Sequence, residues 1–155
     1  MSVRFHIVLH QPVIPQNTGS IARLCACTGA SLHLIHPLGF AIDESKVKRA
    51  GLDYWPHLEI SEYENWEHFL AVRKPEQLLL FTKFATRSFY SLSIQPEAYL
   101  VYGSETKGLP ADLRERYAES CVQIPMRTDL VRSLNLAQCA AVGVYEAIRQ
   151  NAVTY

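Results

Sequence analysis

Three short stretches of this sequence carry residues that could hold a small polar ligand and act on it. PQNTGSIAR, residues 15–23, brings the backbone N–H groups around Asn17 and Gly19 forward, with Arg23 one turn beyond Gly19. GSETKGLP, residues 103–110, has tight turns available at Gly103 and Gly108, with Glu105 and Lys107 projecting between them. IPMRTDLVRSLN, residues 124–135, runs from an apolar end into an arginine-bearing loop that closes on Ser133 and Asn135. A loop rich in backbone donors and hydroxyls, delivered by a strand and locked by a closely packed helix, is how α/β proteins grip such ligands. One glycine turn beside an acid is common and says little. Three such turns in order, each after an apolar run, are far more specific.

The elements that must position these loops can be read from periodicity. Arg4 to His10 and Ser31 to Pro37 read as buried strands, and Asn17 and Thr18 can cap a helix between them with Ile21, Leu24, Cys25 and Thr28 inward and Gly29 as its stop. Strand, helix, strand is a βαβ unit. Glu62 to Lys74 has helical spacing through Tyr63, Trp66, Phe69 and Leu70. QLLLFT at 77–82, AYLVY at 98–102 and Cys121 to Pro125 read as interior strands, with a short helix from Pro110 to about Tyr117, and 83–97 reads as a loop with some strand or turn. The strongest helix opens at Ser133 and Asn135, where Leu136, Ala140, Val144 and Ile148 recur every fourth residue beside Gly143 and Ala147. Its small residues would let another backbone come close, although a capped helix with an alanine-rich core face has the same pattern. The expectation is one α/β domain over residues 1–155, with about five parallel strands and helices on both sides.

Composition narrows the function classes. Apolar residues make up 48% and charged residues 19% of 155, a globular balance. No apolar run approaches the roughly 20 residues that cross a bilayer, and no signal-peptide pattern stands at the N-terminus, so the expected setting is soluble and cytoplasmic, with no membrane partner. Cys25, Cys27, Cys121 and Cys139 lack C-x-x-C spacing and read as small buried thiols, with no metal expected. The 15 basic residues balance 15 acidic ones, so any nucleic-acid partner must meet local charge. Lys46, Lys48 and Arg49 beside Tyr54 and Trp55 could grip phosphate and stack a base; a solvated helix face flanked by core aromatics fits them as well. G-x-G-x-x-G, G-x-x-x-x-G-K-[ST] and G-x-S-x-G are all absent, which counts against dehydrogenase, P-loop and α/β-hydrolase readings.

PQNTGSIARLC, VYGSETKGLP and IPMRTDLVRSLNLAQCAAVGVYEA resemble the three motifs of the SPOUT superfamily of RNA methyltransferases, and LHLIHPLGF and KRAGLDYW resemble its small YibK-like, or TrmL, branch of the TrmH family. The likeness spans nearly the whole chain. It implies a SPOUT-type parallel sheet flanked by helices, with a deep trefoil knot in the C-terminal part, against the general rule that chains do not thread loops. It implies S-adenosyl-L-methionine as methyl donor and S-adenosyl-L-homocysteine as product, held by Phe81, Thr82, Gly103, Gly108, Ile124, Met126, Ser133 and Leu134. It also implies a homodimer. Ser104 stands where proline or arginine is usual, and Ala137-Gln138 stands in place of a Ser-Asn pair.

The implied reaction is methyl transfer to a ribose 2′-hydroxyl. Arg23 is implied as the principal catalytic residue, with Asn17, Glu105, Ser133 and Asn135 helping to place ribose, phosphate and Arg23; a purely structural Arg23–Glu105 pair is the alternative. In some accounts of the family this arginine is a general base; a guanidinium does not readily give up its proton, so fixing the adjacent phosphate and stabilising alkoxide charge is the more physical role, and the sequence fits either. The implied substrate is the wobble nucleotide, a cytidine or modified uridine, in the anticodon loop of tRNA, where a 2′-hydroxyl is accessible. Lys46, Lys48, Arg49, Lys83, Arg87, Lys107, Arg127 and Arg132 are the candidate RNA contacts. Ribosomal RNA as substrate, and a non-catalytic RNA-binding or ribosome-assembly module, are the competing readings.

Overall fold

The computed structural model describes residues 3–42 and 55–155. Among the described residues six parallel strands form one sheet: β1 (His6–His10), β2 (Ser31–Ile35), β3 (Ile60–Tyr63), β4 (Leu78–Phe81), β5 (Tyr99–Tyr102) and β6 (Cys121–Val122), in the order β3-β2-β1-β5-β4-β6. The central strands read as continuous apolar runs because both faces are covered. Along β1 the pleat sends Ile7 and Leu9 to one face and Val8 to the other. The first face packs against α1 (Pro15–Thr28) and α4 (Leu136–Gln150), the second against α2 (Trp66–Arg73) and α3 (Ala111–Arg116).

Helix α4 buries Leu136, Ala140, Gly143, Val144, Ala147 and Ile148, the stripe its periodicity predicts. Gly143 is needed for contact, since a Cβ there would collide with the Tyr102 hydroxyl. The loop between β4 and β5 is held from two directions. Gln123 N donates to Arg87 O and Phe89 N to Gln123 O, both at 2.9 Å. At the far end Gln150 Nε2 donates to Leu92 O at 3.0 Å and Asn151 Nδ2 to Ile94 O at 2.9 Å.

A buried polar chain crosses the second face. Arg73 Nε donates to the Tyr63 hydroxyl (2.6 Å), Tyr63 lies 2.8 Å from His33 Nδ1, His33 Nε2 lies 3.0 Å from His6 Nδ1, and His6 Nε2 reaches Glu97 at 3.1 Å. One polarity satisfies every link: the tyrosine proton points to His33, the His33 Nε2 proton to His6, and the His6 Nε2 proton to the carboxylate, leaving both imidazoles neutral. Burial lowers the pKa of both, His33 to about 3.

Several sequence expectations are corrected. Ile60–Tyr63 is a sixth strand where the periodicity ran a helix from Glu62; α2 begins at Trp66, with the Asn65 side chain accepting from His68 N. A four-residue strand at the sheet's edge is half exposed and leaves no apolar run to read. Helix α1 begins at Pro15, not at an Asn17 or Thr18 cap, because proline at the first helical position needs no N–H partner. Cys27 is exposed, while Cys25 is buried and its thiol pushed up to about 12 by desolvation. The expected helix across Lys46, Lys48 and Arg49, and Tyr54 after it, lie outside the described residues. Among the described residues no helix is long and apolar enough to cross a membrane, and no cluster of three His, Cys, Asp or Glu is placed to hold a metal ion.

Candidate functional site

The carboxyl ends of β1, β5, β4 and β6 lie side by side, and the loops leaving them enclose a cleft of about 570 Å³. Ligands in open parallel sheets bind at this end. Ile14 comes from the β1 loop and Asn17 from the first turn of α1, Phe81 to Phe84 from β4 and its loop, Tyr102 to Leu109 from β5 and its loop, and Gln123, Ile124, Met126 and the run Arg132 to Leu136 from the segment after β6.

A hydrogen-bond chain fastens three of these loops together. The Glu105 carboxylate accepts from Val13 N (2.9 Å), Ile14 N (2.8 Å) and Asn17 Nδ2 (3.2 Å). Asn17 Oδ1 in turn accepts from Asn135 Nδ2 at 3.0 Å. Asn135 Oδ1 then caps α4 by accepting from Ala137 N at 2.9 Å and Gln138 N at 3.4 Å. The β5 loop folds back on itself as Gly108 N donates to Ser104 O, and Gly108 takes φ +66°, a conformation glycine tolerates. Gly103 has a steric reason, since a Cβ there would strike the Gly108 and Leu109 backbone.

The eight residues expected at the cofactor all line this cleft, as do Asn17, Glu105, Ser133 and Asn135. Arg23 does not. It is exposed on α1 and pairs with no acid among the described residues, while Glu105 is bound to Val13, Ile14 and Asn17, so a structural Arg23–Glu105 pair is not what the fold uses. Ser133 lines the cleft without capping α4; Asn135 alone does that. Lys83, Lys107 and Arg132 also line the cleft, and Arg87 lines an adjoining cavity of about 310 Å³. Arg127 is instead held by Asp129 through contacts of 3.2 and 2.7 Å, which hold that carboxyl below its usual range. Lys46, Lys48 and Arg49 lie outside the described residues.

Sequence reasoning missed Tyr102. Its ring stacks on Phe81 at 4.7 Å, and its hydroxyl is buried without a partner among the described residues. Its position directly before Gly103 was the available signal. Burial pushes the Tyr102 phenol well up and the Cys139 thiol up, so neither supplies an anion to the cleft near neutral pH. The ionised lining is Lys83, Glu105, Lys107 and Arg132, three cations with one committed carboxylate. The cleft suits a ligand rich in acceptors and a negatively charged neighbour. Among the described residues its lining holds no Ser-His or Cys-His pair for covalent catalysis.

The family model described as the SpoU rRNA Methylase family matches residues 4–145. A relative from Burkholderia ambifaria named tRNA (cytidine(34)-2'-O)-methyltransferase is 47% identical over 150 residues, covering 94% of this chain and 95% of its own. A solved structure described as giving structural insights into the 2-OH methylation of C/U34 on tRNA has a TM-score of 0.90 at 41% identity and covers 97% of each chain. The SpoU methyltransferase AviRb from Streptomyces viridochromogenes, solved in complex with AdoMet, shares the fold with a TM-score of 0.84 at 23% identity, matching 100% of this chain and 60% of that one.

Proposed function

The chain belongs to the SpoU methylase family, and from that premise we propose that it is a tRNA 2′-O-methyltransferase acting on the ribose of the wobble nucleotide, cytidine or uridine, with S-adenosyl-L-methionine as donor. The observation that carries this reading is the Glu105–Asn17–Asn135 chain, which makes one cleft of three separate loops. The cleft fits the donor: Gly103 brings backbone close without a side chain, a buried hydroxyl stands unpartnered at Tyr102, and apolar Phe81, Ile124, Met126 and Leu134 offer a flat aromatic moiety a dry bed. When bound, the donor supplies an electrophilic methyl group on a sulfonium, and S-adenosyl-L-homocysteine is the product.

Transfer would join the ribose 2′-oxygen to that methyl carbon as its bond to sulfur opens, and the hydroxyl proton would leave to solvent. The protein's share is alignment and charge, because an in-line displacement tolerates little misplacement. Asn17 and Asn135, each fixed by the other, hold their polar ends at the cleft, and Glu105 rigidifies the strand-end loop against it. Ser133 offers a hydroxyl to the incoming ribose. Lys83, Lys107 and Arg132 neutralise the flanking phosphates. Arg23 is the arginine that fixes the phosphate and stabilises developing alkoxide charge.

Since Arg23 stands outside its own chain's cleft, the reading includes a homodimer. Helices α1 and α4 pack together and leave Ile14, Val142 and Tyr145 exposed, a surface on which a second copy can bring its arginine to the nucleotide. We further infer that residues 121–155 thread the β4–β5 loop to give the trefoil knot. The bonds from Gln123 on one side of that loop and from Gln150 and Asn151 on the other support the threading. The protein acts in the cytoplasm, with residues 1–155 forming one catalytic domain.

Incubation with methyl-labelled S-adenosyl-L-methionine and total cellular RNA tests the reading. Label should enter the tRNA fraction and disappear with Arg23→Ala. Label in ribosomal RNA would move the substrate, and no transfer to any RNA would leave a binding module.

A further inference from the structure

Three aromatic side chains line the cleft, and they are not alike. Phe81 and Tyr102 are buried against the core, whereas Phe84 is 63% exposed at the rim. Phe84 lines both the cleft and the adjoining cavity formed by Thr82, Ala85, Thr86, Arg87, Arg114 and Cys121 together with Glu115 and Ala118.

The ring is held in place. Leaving β4, the chain turns at once, with Ala85 N donating to Thr82 O and Phe84 N to Thr82 Oγ1, both at 3.3 Å. The Arg114 guanidinium lies over the ring, its carbon 4.2 Å from the centroid, and is oriented by a bond from Nε to Leu109 O at 3.3 Å. The Lys83 ammonium stands 5.3 Å from the same centroid. Arg87, exposed, donates to the Glu119 carbonyl and lines the adjoining cavity. Lys83, Arg87 and Arg114 stand around this ring, with Glu115 lining the same cavity, so the rim carries local positive charge that the chain's balanced composition lacks.

We propose that Phe84, backed by Arg114, is a stacking platform for an unpaired base of the RNA substrate, while Lys83 and Arg87 grip the phosphates beside it. The inference rests on the methyltransferase reading. A ribose presented to the donor belongs to a nucleotide lifted out of its stack, and an exposed phenyl face recovers the stacking it has lost. The cation–π contact from Arg114 keeps the ring oriented. Stacking tolerates any base, so the platform sets affinity for an open loop and leaves identity to other contacts.

The test uses the full-length protein, an anticodon stem-loop RNA carrying 2-aminopurine at the target position or at either neighbour, and the variants Phe84→Leu, Phe84→Trp and Arg114→Gln. Phe84→Leu should raise the KM for RNA roughly tenfold, as expected for losing one stacked base. Its S-adenosyl-L-methionine affinity and melting temperature should stay at wild-type values, and the 2-aminopurine quenching seen at one position should be lost. Phe84→Trp should restore both signals, and Arg114→Gln should lie between. An unchanged KM in Phe84→Leu, a loss that tracks donor affinity, or a tryptophan no better than leucine would each overturn the platform while leaving the enzyme reading intact. A wild-type protein that transfers no methyl group to RNA removes both.

Discussion

Tyr102 and Gly143 meet across the packing of β5 on α4, and the tyrosine hydroxyl there has no partner among the described residues. A buried hydroxyl that recovers no hydrogen bond on folding is costly, so Tyr102→Phe should stabilise the free protein by about 1 kcal/mol and raise its Tm by roughly 2–4 °C. A fall in Tm on scanning calorimetry would mean the hydroxyl has a partner after all. Gly143→Ala should cost about 1–3 kcal/mol through overpacking against that hydroxyl, and adding Tyr102→Phe should recover part of the loss, a non-additivity that a double-mutant cycle reads directly. Gly103→Ala acts elsewhere: the collision with the Gly108–Leu109 backbone must open the β5 loop, so donor binding by isothermal titration should fall at least tenfold. The glycines and the Asn17, Glu105 and Asn135 triplet were legible because loop residues of these types stand out from apolar strands. Tyr102 and Phe84 were not, because an aromatic beside a strand reads as core until its exposure is known.

At the scale of elements, the histidine chain between β1, β2, β3 and α2 makes stability depend on pH. His33 is fully buried and neutral in the fold, with a pKa of about 3 against 6.5 for an exposed histidine. A group whose folded pKa is depressed binds its proton more tightly in the unfolded chain, so its contribution is complete above pH 6.5 and is lost as pH falls below it. Between pH 7 and pH 5 this costs about 2 kcal/mol from His33 alone, with His6 adding in the same direction. Urea midpoints at the two pH values measure it, and a midpoint that rises on acidification would contradict the assigned polarity. Asn135→Ala should remove the α4 cap at about 1 kcal/mol and, by freeing Asn17, cost activity beyond that loss of stability. Helix α4 was readable to within its cap, because a fourth-residue stripe over 15 residues has no other geometry. Strand β3 and the true start of α1 were not, since the first is too short to show alternation and the second is set by Pro15 with no side-chain cap.

For the molecule as a whole, the separation of Arg23 from its own cleft gives a complementation experiment. Mixed dimers of an Arg23→Ala chain and a Gly103→Ala chain should regain about a quarter of wild-type transfer if the arginine works across the interface, since random pairing makes half the dimers mixed and each has one complete site of two. No activity above that of either parent would return Arg23 to its own chain's site. The strand order β3-β2-β1-β5-β4-β6 could not be read from sequence, because pairing partners leave no local trace. It is what gathers four strand ends into one cleft. Its joining bond links Asn17 to Asn135 across 118 positions. A growing polypeptide therefore carries every other part of the pocket out of the ribosome before it has the pocket itself. Translation products that stop short of α4 should be inert toward the methyl donor however well their early strands pair, so partial synthesis leaves no half-active methylase to mark the wrong RNA.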